Sequence, residues 1–301
     1  MNLKGNHSPK LYPENLDLDW KKLSLSERDK EYSPSSAIGG NYAPFIQKYD
    51  TESKLARSIV NSTKYQYGKK ENQIIEIANR LNNKTNKNLD PLLVFFHGGY
   101  WQELSVRESF FPAINTIKHN IGFAAVEYTL SPYATIDEIV GECREAVSWL
   151  FLNSKKLGFD KNKIILAGSS AGAHLAAMCS IYNPESKNSL LGAILVSGIY
   201  EIEPLIGTSI DEVLCLKRDQ AISNSPMFKD LERFPPTVVA WAENETDQFK
   251  KQSKIFTNKL IDQNVPVRSL EIENKNHFDV ILDLTDFDEP LGKELKLLLN
   301  L

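Results

Sequence analysis

A serine flanked by small residues stands where one predicted element ends and the next begins. The segment Gly168-Ser169-Ser170-Ala171-Gly172 follows the apolar run 163–167 and precedes the alanine-rich run 173–178. The first run predicts a buried strand, and the second predicts a helix. The glycines around Ser170 allow the backbone a sharp, strained turn that lifts the serine hydroxyl clear of the sheet. The sequence therefore predicts a strand–turn–helix unit that presents Ser170 as a nucleophile.

A second turn with small residues follows another apolar run. The segment His97-Gly98-Gly99-Tyr100-Trp101 follows residues 92–96, whose unbroken apolar character is typical of a strand buried on both faces. Two successive glycines allow backbone N–H groups to point into a cleft, where an acyl-transfer enzyme needs donors for its oxyanion. We expect the N–H of either glycine, together with that of Ala171, to supply these donors. We interpret His97 as a residue that orients the loop by hydrogen bonding.

From residue 65 onward, strand patterns alternate with helical patterns. This alternation predicts an α/β fold, in which a mostly parallel sheet is covered by helices on both faces. We expect one domain over residues 1–301, with residues 1–64 as an N-terminal arm packed on it and residues 205–234 as a small lid above the strand ends. The predicted strands are 73–78, 92–96, 122–128, 163–167, 191–197, 237–242 and 267–272, and the predicted helices are 106–119, 136–156, 171–182, 249–264 and 278–299.

Composition limits the classes of function. The 301-residue chain is 42% hydrophobic with a net charge of −4, so it can bury a sizeable core and has no basic excess that would favour nucleic acid or an anionic membrane. Its cysteines, Cys143, Cys179 and Cys215, lack metal-ligand spacing, and an odd number without a framework is typical of a reducing cytosol. The sequence shows neither the apolar core of a signal peptide nor a stretch long enough to span a membrane. We therefore expect a cytoplasmic protein.

A serine nucleophile needs a general base, and the base needs a carboxylate that orients it. In an α/β-hydrolase, the acid and then the histidine follow the serine along the chain. Of the five histidines, only His277 follows both the serine turn and the last predicted strand. We therefore expect His277 to be the base. We interpret His174, inside the helix after Ser170, as a core residue or a support for the site.

The acid is expected in the loop that follows the predicted strand 237–242. Three carboxylates compete there, those of Glu243, Glu245 and Asp247. The distance from the strand end favours Glu245, whereas the commoner use of aspartate in catalytic triads favours Asp247. Both residue types serve as the third member in this fold, so the residues alone leave both open.

Six segments of the chain match the motifs of one known family. They are Glu31-Tyr32-Ser33-Pro34-Ser35, His97-Gly98-Gly99-Tyr100-Trp101-Gln102, Ser170-Ala171-Gly172-Ala173-His174-Leu175-Ala176-Ala177-Met178, Glu203-Pro204-Leu205-Ile206-Gly207-Thr208-Ser209, Gln252-Ser253 and Asn276-His277-Phe278-Asp279. With these motifs the chain resembles the kynurenine formamidases, or arylformamidases, of the α/β-hydrolase class, over nearly its whole length. That family commonly has aspartate four residues before the phenylalanine that matches Phe249, where this chain has Glu245. The resemblance therefore implies a triad of Ser170, Glu245 and His277, with Asp247 as the second choice for the acid.

The resemblance also implies a reaction, the hydrolysis of N-formyl-L-kynurenine to L-kynurenine and formate, without a metal or organic cofactor. Aryl substrates suit a site with Tyr100 and Trp101 beside the oxyanion loop, because aromatic faces bury and orient a flat ring. The alternative is that both rings simply pack the loop. The rival functions are a carboxylesterase acting on small acyl or aryl esters, a deformylase of a secondary metabolite, and a non-catalytic hydrolase-like binding protein. The intact set of serine, acid and histidine argues against the last.

Overall fold

One mixed sheet forms the centre of the molecule in the computed structural model, which describes residues 19–79, 89–181 and 190–300. Within these residues its eight strands are β1 Ser62–Gln66, β2 Ile74–Ala78, β3 Asp90–Phe96, β4 Gly122–Val126, β5 Phe159–Ser169, β6 Gly192–Val196, β7 Thr237–Asn244 and β8 Val267–Asn276. Across the sheet their order is β1-β2-β4-β3-β5-β6-β7-β8. The pairs β1–β2 and β2–β4 are antiparallel, and the remaining pairs are parallel. The prediction of a mostly parallel sheet is confirmed.

Helices cover both faces of this sheet, because its central strands are apolar on both sides. The α-helices of the described residues are α1 Leu25–Glu31, α2 Ala43–Ile59, α3 Ala113–Lys118, α4 Ile136–Leu157, α5 Ala171–Ile181, α6 Asp211–Leu214, α7 Arg218–Ser223, α8 Asp247–Asp262 and α9 Pro290–Leu299. Along β3, Val94 and Phe96 belong to one hydrophobic core, and Leu93 and Phe95 belong to the other. Side chains of α4, α5 and α8 complete the first core, and those of α2, α3 and α9 complete the second.

All of the predicted strands occur, with ends that differ by a few residues. Strand β5 begins at Phe159 rather than at 163, and β8 continues to Asn276 rather than ending at 272. Strand β1, Ser62–Gln66, was not predicted, because its residues are largely polar and exposed, as suits the edge of a sheet. The predicted arm therefore ends within the sheet.

Two of the predicted helices are each divided. Residues 106–119 form a 3-10 turn at Val106–Glu108 and then α3, with Pro112 between them. Residues 278–299 form a 3-10 turn at Val280–Asp283 and then α9, which begins at Pro290. Proline lacks a backbone N–H and disfavours the helical conformation in the residue before it, so the long helices predicted across these positions do not form.

The predicted arm and lid both contribute to the region around Ser170. Residues 1–18 of the arm, like residue 182 of the predicted helix 171–182, lie outside the described residues. Residues 19–59 form α1 and α2, each preceded by a 3-10 turn, and residues 205–234 include the short helices α6 and α7. Side chains from both segments line the cavity that also contains Ser170.

Candidate active site

Each residue of the predicted catalytic set follows the carboxyl end of a parallel strand. The glycine-containing loop that begins at His97 follows β3, Ser170 follows β5, Glu245 follows β7, and His277 follows β8. The carboxyl ends of parallel strands lie along one edge of the sheet, where open α/β folds place their ligand sites. Four segments that are distant in sequence thereby meet at one place.

Ser170 occupies the turn between β5 and α5. Its φ is +57°, in the left-handed region that residues other than glycine rarely adopt, and its N–H donates to the carbonyl of Val196 on β6 at 2.9 Å. Glycine is required nearby, since a Cβ on Gly172 would lie 2.0 Å from the carbonyl oxygen of Phe96. The predicted strand–turn–helix unit is present, and Ser170 lines the cavity described below.

The glycine pair after β3 packs directly against this turn. A Cβ on Gly98 would lie 3.3 Å from the Cβ of Ser170, and one on Gly99 would lie 2.3 Å from the carbonyl oxygen of Glu103. Gly99 also has a φ of +93°, so a side chain there is excluded by both space and backbone conformation. Ala171 is the first residue of α5, where the helix dipole favours negative charge. The predicted oxyanion donors thus come from two turns in contact beside the serine.

His97 is tied to the backbone of its own loop. Its Nδ1 lies 2.9 Å from the carbonyl oxygen of Gly98 and 3.1 Å from the hydroxyl of Tyr128, which donates to the His97 carbonyl at 2.9 Å. The rings of His97 and Tyr128 stack with their centroids 4.2 Å apart, and Nε2 lies 3.7 Å from Oε1 of Glu127. These contacts fit the interpretation of His97 as a residue that orients the loop.

The structure brings Glu245 to His277. Oε1 of Glu245 lies 3.7 Å from Nδ1 of His277, and the two side chains are only 1% and 5% exposed. The same oxygen accepts hydrogen bonds from the N–H of Ala242, at 3.0 Å, and from the hydroxyl of Ser197. A separation of 3.7 Å is longer than a hydrogen bond, but such contacts are often long in a free enzyme and shorten in the reacting complex. A carboxylate in this position can orient the imidazole through Nδ1.

The two competing carboxylates point elsewhere. Asp247 is the first residue of α8 and is exposed. Glu243 is also exposed and accepts a hydrogen bond from the N–H of Asn274 at 2.8 Å. Of these three carboxylates, it is that of Glu245 that lies 3.7 Å from the imidazole of His277, so the geometry favours Glu245 over Asp247.

The turn that carries His277 is held by its own polar residues. Oδ1 of Asn276 accepts from the N–H of Phe278 at 2.9 Å, and Oδ1 of Asp279 accepts from the N–H of Asn276 at 2.7 Å. The ring of Phe249 on α8 packs edge-on against the imidazole, with centroids 4.7 Å apart. The imidazole is therefore held between the turn and α8.

A cavity of about 270 Å³ contains both Ser170 and His277 in its lining. Tyr42, the N-cap residue of α2, and Tyr49 within α2 line this cavity, as does Phe278 in the turn after β8. Sequence reasoning missed these aromatic residues. The available signal was the spacing of the aromatic residues 42, 45 and 49, which is typical of one face of a helix and of the residue that begins it.

The two aromatic residues predicted to bind substrate behave differently. Tyr100 lines the cavity, and its hydroxyl donates to the carbonyl of Tyr32. Burial raises the pKa of the Tyr100 hydroxyl well above its ordinary value, which keeps it a donor. Trp101 is fully buried and packs edge-on against His174, with centroids 5.0 Å apart. Its ring lies outside the cavity lining and packs beneath the loop, so only Tyr100 is positioned to contact a ligand.

His174 belongs to the core, one of the two roles considered for it. It is fully buried, with Nε2 2.6 Å from the carbonyl oxygen of Asn224, and burial lowers its pKa to about 4.

Cys143 and Cys179 are buried in α4 and α5, whereas Cys215 is exposed. Among the residues that the structure describes, no three His, Cys, Asp or Glu side chains are grouped to hold a metal ion. No helix in these same ranges is long and apolar enough to cross a membrane.

Known proteins resemble this chain in sequence and in fold. The family model BD-FAE matches residues 80–270. The kynurenine formamidase of Danio rerio is 30% identical over 293 residues, which cover 92% of this chain and 97% of that protein. The kynurenine formamidase of Salmo salar is also 30% identical, with the same coverage of both chains. Among solved structures, a hyperthermophilic esterase from the archaeon Pyrobaculum calidifontis has a TM-score of 0.70 at 21% identity, covering 85% of this chain and 91% of that chain.

These similarities agree with the architecture. The mostly parallel sheet, the serine turn at its carboxyl edge and the likeness to this solved structure define the α/β-hydrolase fold. The two kynurenine formamidases, which align over 92% of this chain and 97% of their own length, identify the family within this fold class. The chain belongs to the kynurenine formamidase family, which confirms the resemblance found in the sequence.

Proposed function

We propose that this enzyme hydrolyses aryl formamides, with N-formyl-L-kynurenine as its principal substrate and L-kynurenine and formate as its products. Ser170 is the nucleophile, His277 is the general base, and Glu245 is the acid that orients the base. One observation carries the proposal: a chain of the kynurenine formamidase family has Ser170 and His277 in the lining of one cavity, with Glu245 beside the imidazole.

The reaction proceeds in two acyl-transfer steps. Oγ of Ser170 attacks the formyl carbon while His277 takes the hydroxyl proton, and the N–H groups of Gly98-Gly99 and Ala171 stabilise the oxyanion. The intermediate collapses as His277 returns the proton to the aryl nitrogen, which leaves as the amine. Water then loses a proton to His277 and attacks the formyl carbon. The bond from this carbon to Oγ of Ser170 breaks as His277 returns the proton to Oγ, and formic acid leaves and ionises to formate. Glu245 stabilises the imidazolium formed at each step.

The apolar wall of the cavity suits a flat ring. Beside Tyr100, it contains five aromatic side chains, Tyr42, Tyr49, Phe95, Phe111 and Phe278. Aromatic rings bind a planar ligand through offset or edge contacts that add to the burial of apolar area. A volume of about 270 Å³ is near the lower end of small-molecule pockets, roughly 300–1,000 Å³. The wall and the volume support a compact aryl substrate.

The polar groups of the cavity suit the amino-acid part of N-formyl-L-kynurenine. Carboxylates of Glu103 and Glu108 belong to the lining, whereas no lysine or arginine does within the described residues. Ser33, Ser35 and Ser209 contribute hydroxyl groups, which can donate to a carboxylate. The substrate's ammonium group thus has acidic partners and its carboxylate has hydroxyl donors, which supports an amino acid over a simple ester.

N-formyl-L-kynurenine should have a higher kcat/KM than p-nitrophenyl acetate, measured spectroscopically in one buffer. A tenfold preference requires only about 1.4 kcal/mol of additional transition-state binding, which the aromatic wall and the polar groups can supply. Formanilide, an aryl formamide without the amino-acid part, should fall between the two. Turnover of the ester with none of either formamide would assign the enzyme to the carboxylesterase alternative.

Glu103→Gln should raise the KM for N-formyl-L-kynurenine roughly threefold, because an exposed ion pair contributes at most about 1 kcal/mol. Glu103 is exposed at the cavity, and only this substrate carries an ammonium group, so the KM for p-nitrophenyl acetate should not change. Glu232→Gln is the matched control, since Glu232 is exposed and outside the cavity lining. Equal shifts of KM for both substrates would contradict a charge effect.

We place this reaction in the cytoplasm. All three cysteines are free, including the exposed Cys215. Unpaired thiols are the usual state in a reducing compartment. The partner of the enzyme is a small molecule that enters the cavity around Ser170.

A further inference from the structure

The N-terminal segment contacts the loop that carries the predicted acid. The hydroxyl of Thr246, next to Glu245, donates to the carbonyl of Glu31 at 2.5 Å. The N–H of Gln248 donates to the Glu31 carboxylate at 3.1 Å, and the hydroxyl of Tyr32 donates to Oε1 of Gln248 at 3.3 Å. Glu31 and Tyr32, at the end of α1, are thus hydrogen-bonded to Thr246 in the acid loop and to Gln248 in the first turn of α8.

The orientation of Thr246 is informative. Thr246 is the N-cap residue of α8, where a threonine hydroxyl ordinarily accepts from a backbone N–H of the helix it precedes. Here it makes no such capping bond and instead donates to Glu31, 215 positions earlier in the chain. The hydroxyl therefore contributes to the contact between α1 and the acid loop rather than to the cap of α8.

The same segment also contacts the turn that carries His277. The hydroxyl of Tyr49 on α2 donates to the carbonyl of Phe278, the residue after the base. The rings of Tyr42 and Phe45 stack on the ring of Phe278, with centroids 5.4 and 5.7 Å away. Tyr49 is 7% exposed, and burial raises the pKa of its hydroxyl, so it stays protonated as a donor. Both the backbone and the ring of Phe278 are held by α2 and its N-cap residue.

A third contact reaches the oxyanion loop. The hydroxyl of Tyr100, the residue after the glycine pair, donates to the carbonyl of Tyr32 at the end of α1. Tyr32 is fully buried. The N-terminal segment thus contacts the acid, base and oxyanion loops, which lie far from one another in sequence.

We propose that residues 25–59 are a positioning element of the active site, which holds the acid, base and oxyanion loops in their working arrangement. Tyr49 is the positioning residue for His277, and Glu31 acts on Glu245 through Thr246. The inference rests on the proposed roles of these catalytic residues. Its physical basis is the steep dependence of rate on geometry, since a displacement of about 1 Å at a catalytic group can cost roughly 100-fold in rate.

Two hydroxyl deletions that keep the side-chain shape test the proposal. Tyr49→Phe and Thr246→Val should each lower kcat for N-formyl-L-kynurenine about 10- to 100-fold, the range expected for a misplaced catalytic group. The KM should stay close to wild type, because the ring of Tyr49 and the cavity wall remain in place. The rate at which a fluorophosphonate probe labels Ser170 should fall in parallel with kcat. Thr246→Ser, which keeps the hydroxyl that Thr246→Val removes, should have a kcat close to that of wild type.

Controls separate positioning from stability. Tyr133→Phe and Thr63→Val remove hydroxyls from exposed residues outside the cavity lining and should leave kcat unchanged. The melting temperature and the fraction of folded protein are measured for every variant. A loss of kcat that only follows the loss of folded protein would mean a structural role and would overturn the proposal.

The failure of this inference is distinguishable from failure of the proposed function. If Tyr49→Phe and Thr246→Val keep wild-type kcat and labelling rates while Ser170→Ala is inert, the positioning role is wrong and the triad stands. If the wild-type enzyme neither hydrolyses N-formyl-L-kynurenine nor is labelled at Ser170, the proposed function fails and the positioning role fails with it.

Discussion

Ser170→Ala should lower kcat for N-formyl-L-kynurenine by about 10⁴- to 10⁶-fold, the scale on which loss of the nucleophile affects serine hydrolases. Alanine keeps the backbone and the Cβ of the turn but has no Oγ to attack the formyl carbon. Serine and alanine have a similar conformational cost at a φ of +57°, so the fold and the melting temperature should be unchanged. The measurement is kcat of the purified variant, with its melting temperature recorded in the same buffer.

A second serine, Ser169, ends β5 directly before Ser170, so Ser169→Ala must be measured beside Ser170→Ala. Ser169 also lines the cavity and could be mistaken for the nucleophile. Ser223→Ala removes the hydroxyl of an exposed serine at the end of α7 and should keep wild-type kcat. If Ser170→Ala kept more than a few per cent of activity while Ser169→Ala lost it, the nucleophile would be reassigned to Ser169.

The core of the fold could be predicted because its signal is local. Each central parallel strand is buried on both faces, so it appears in the sequence as an unbroken apolar run, as in residues 92–96. The polar edge strand β1 has no such signal, because only its pairing with β2 defines it. The predicted helix 106–119 is divided at Pro112, because proline lacks a backbone N–H and disfavours the helical conformation in the residue before it, whereas apolar spacing carries no such information.

The candidate site could be predicted only in part, for a similar reason. The serine turn and the glycine pair are short motifs whose residues are adjacent in sequence, and chain order pointed to His277. The wall supplied by α2 was not visible, because Tyr49 and Phe278 are 229 positions apart and meet only through packing. Long-range contacts of this kind depend on the tertiary arrangement, which a motif does not encode.

Adjacent aromatic residues illustrate the same limit at short range. Tyr100 and Trp101 both have positive φ, 49° and 60°, and the turn directs one ring to the cavity and the other into the core. The sequence offered the same argument for both rings. Only the backbone of the turn decides which ring can meet a substrate.

The motif Gln252-Ser253 acquires a physical meaning in the structure. Oε1 of Gln252 accepts from the N–H groups of Tyr200 and Glu201, both at 2.9 Å, and its amide donates to the carbonyl of Glu201 at 2.8 Å. These bonds hold the backbone of the segment that follows β6. The first residue of this segment is Ser197, whose hydroxyl donates to Glu245. Gln252 thus holds the backbone of the segment that contains Ser197, and neither residue of the motif is part of the cavity lining.

Glu245→Gln should lower kcat far more than Asp247→Asn, by up to about 10⁴-fold, the loss measured for the equivalent change in a serine protease triad. The neutral amide cannot stabilise the imidazolium of His277 and no longer fixes its tautomer. The KM should change little, because Glu245 is buried behind His277 and is not part of the cavity lining. Asp247→Asn should stay within about twofold of wild-type kcat, because Asp247 is exposed at the start of α8. Exposed substitutions usually change the free energy of unfolding by no more than roughly 0.5 kcal/mol, so the variant should stay folded.

The comparison is decisive because the two carboxylates differ in environment and are only two positions apart. Asp247 begins α8 in solvent, whereas Oε1 of Glu245 faces Nδ1 of His277 and accepts from Ala242 and Ser197. Near-normal kcat in Glu245→Gln together with a crippled Asp247→Asn would reassign the acid, and it would require the loop to rearrange so that Asp247 reaches the imidazole. A large loss in Glu245→Gln at unchanged melting temperature would instead mean that glutamate in this chain performs the role the family commonly gives to aspartate.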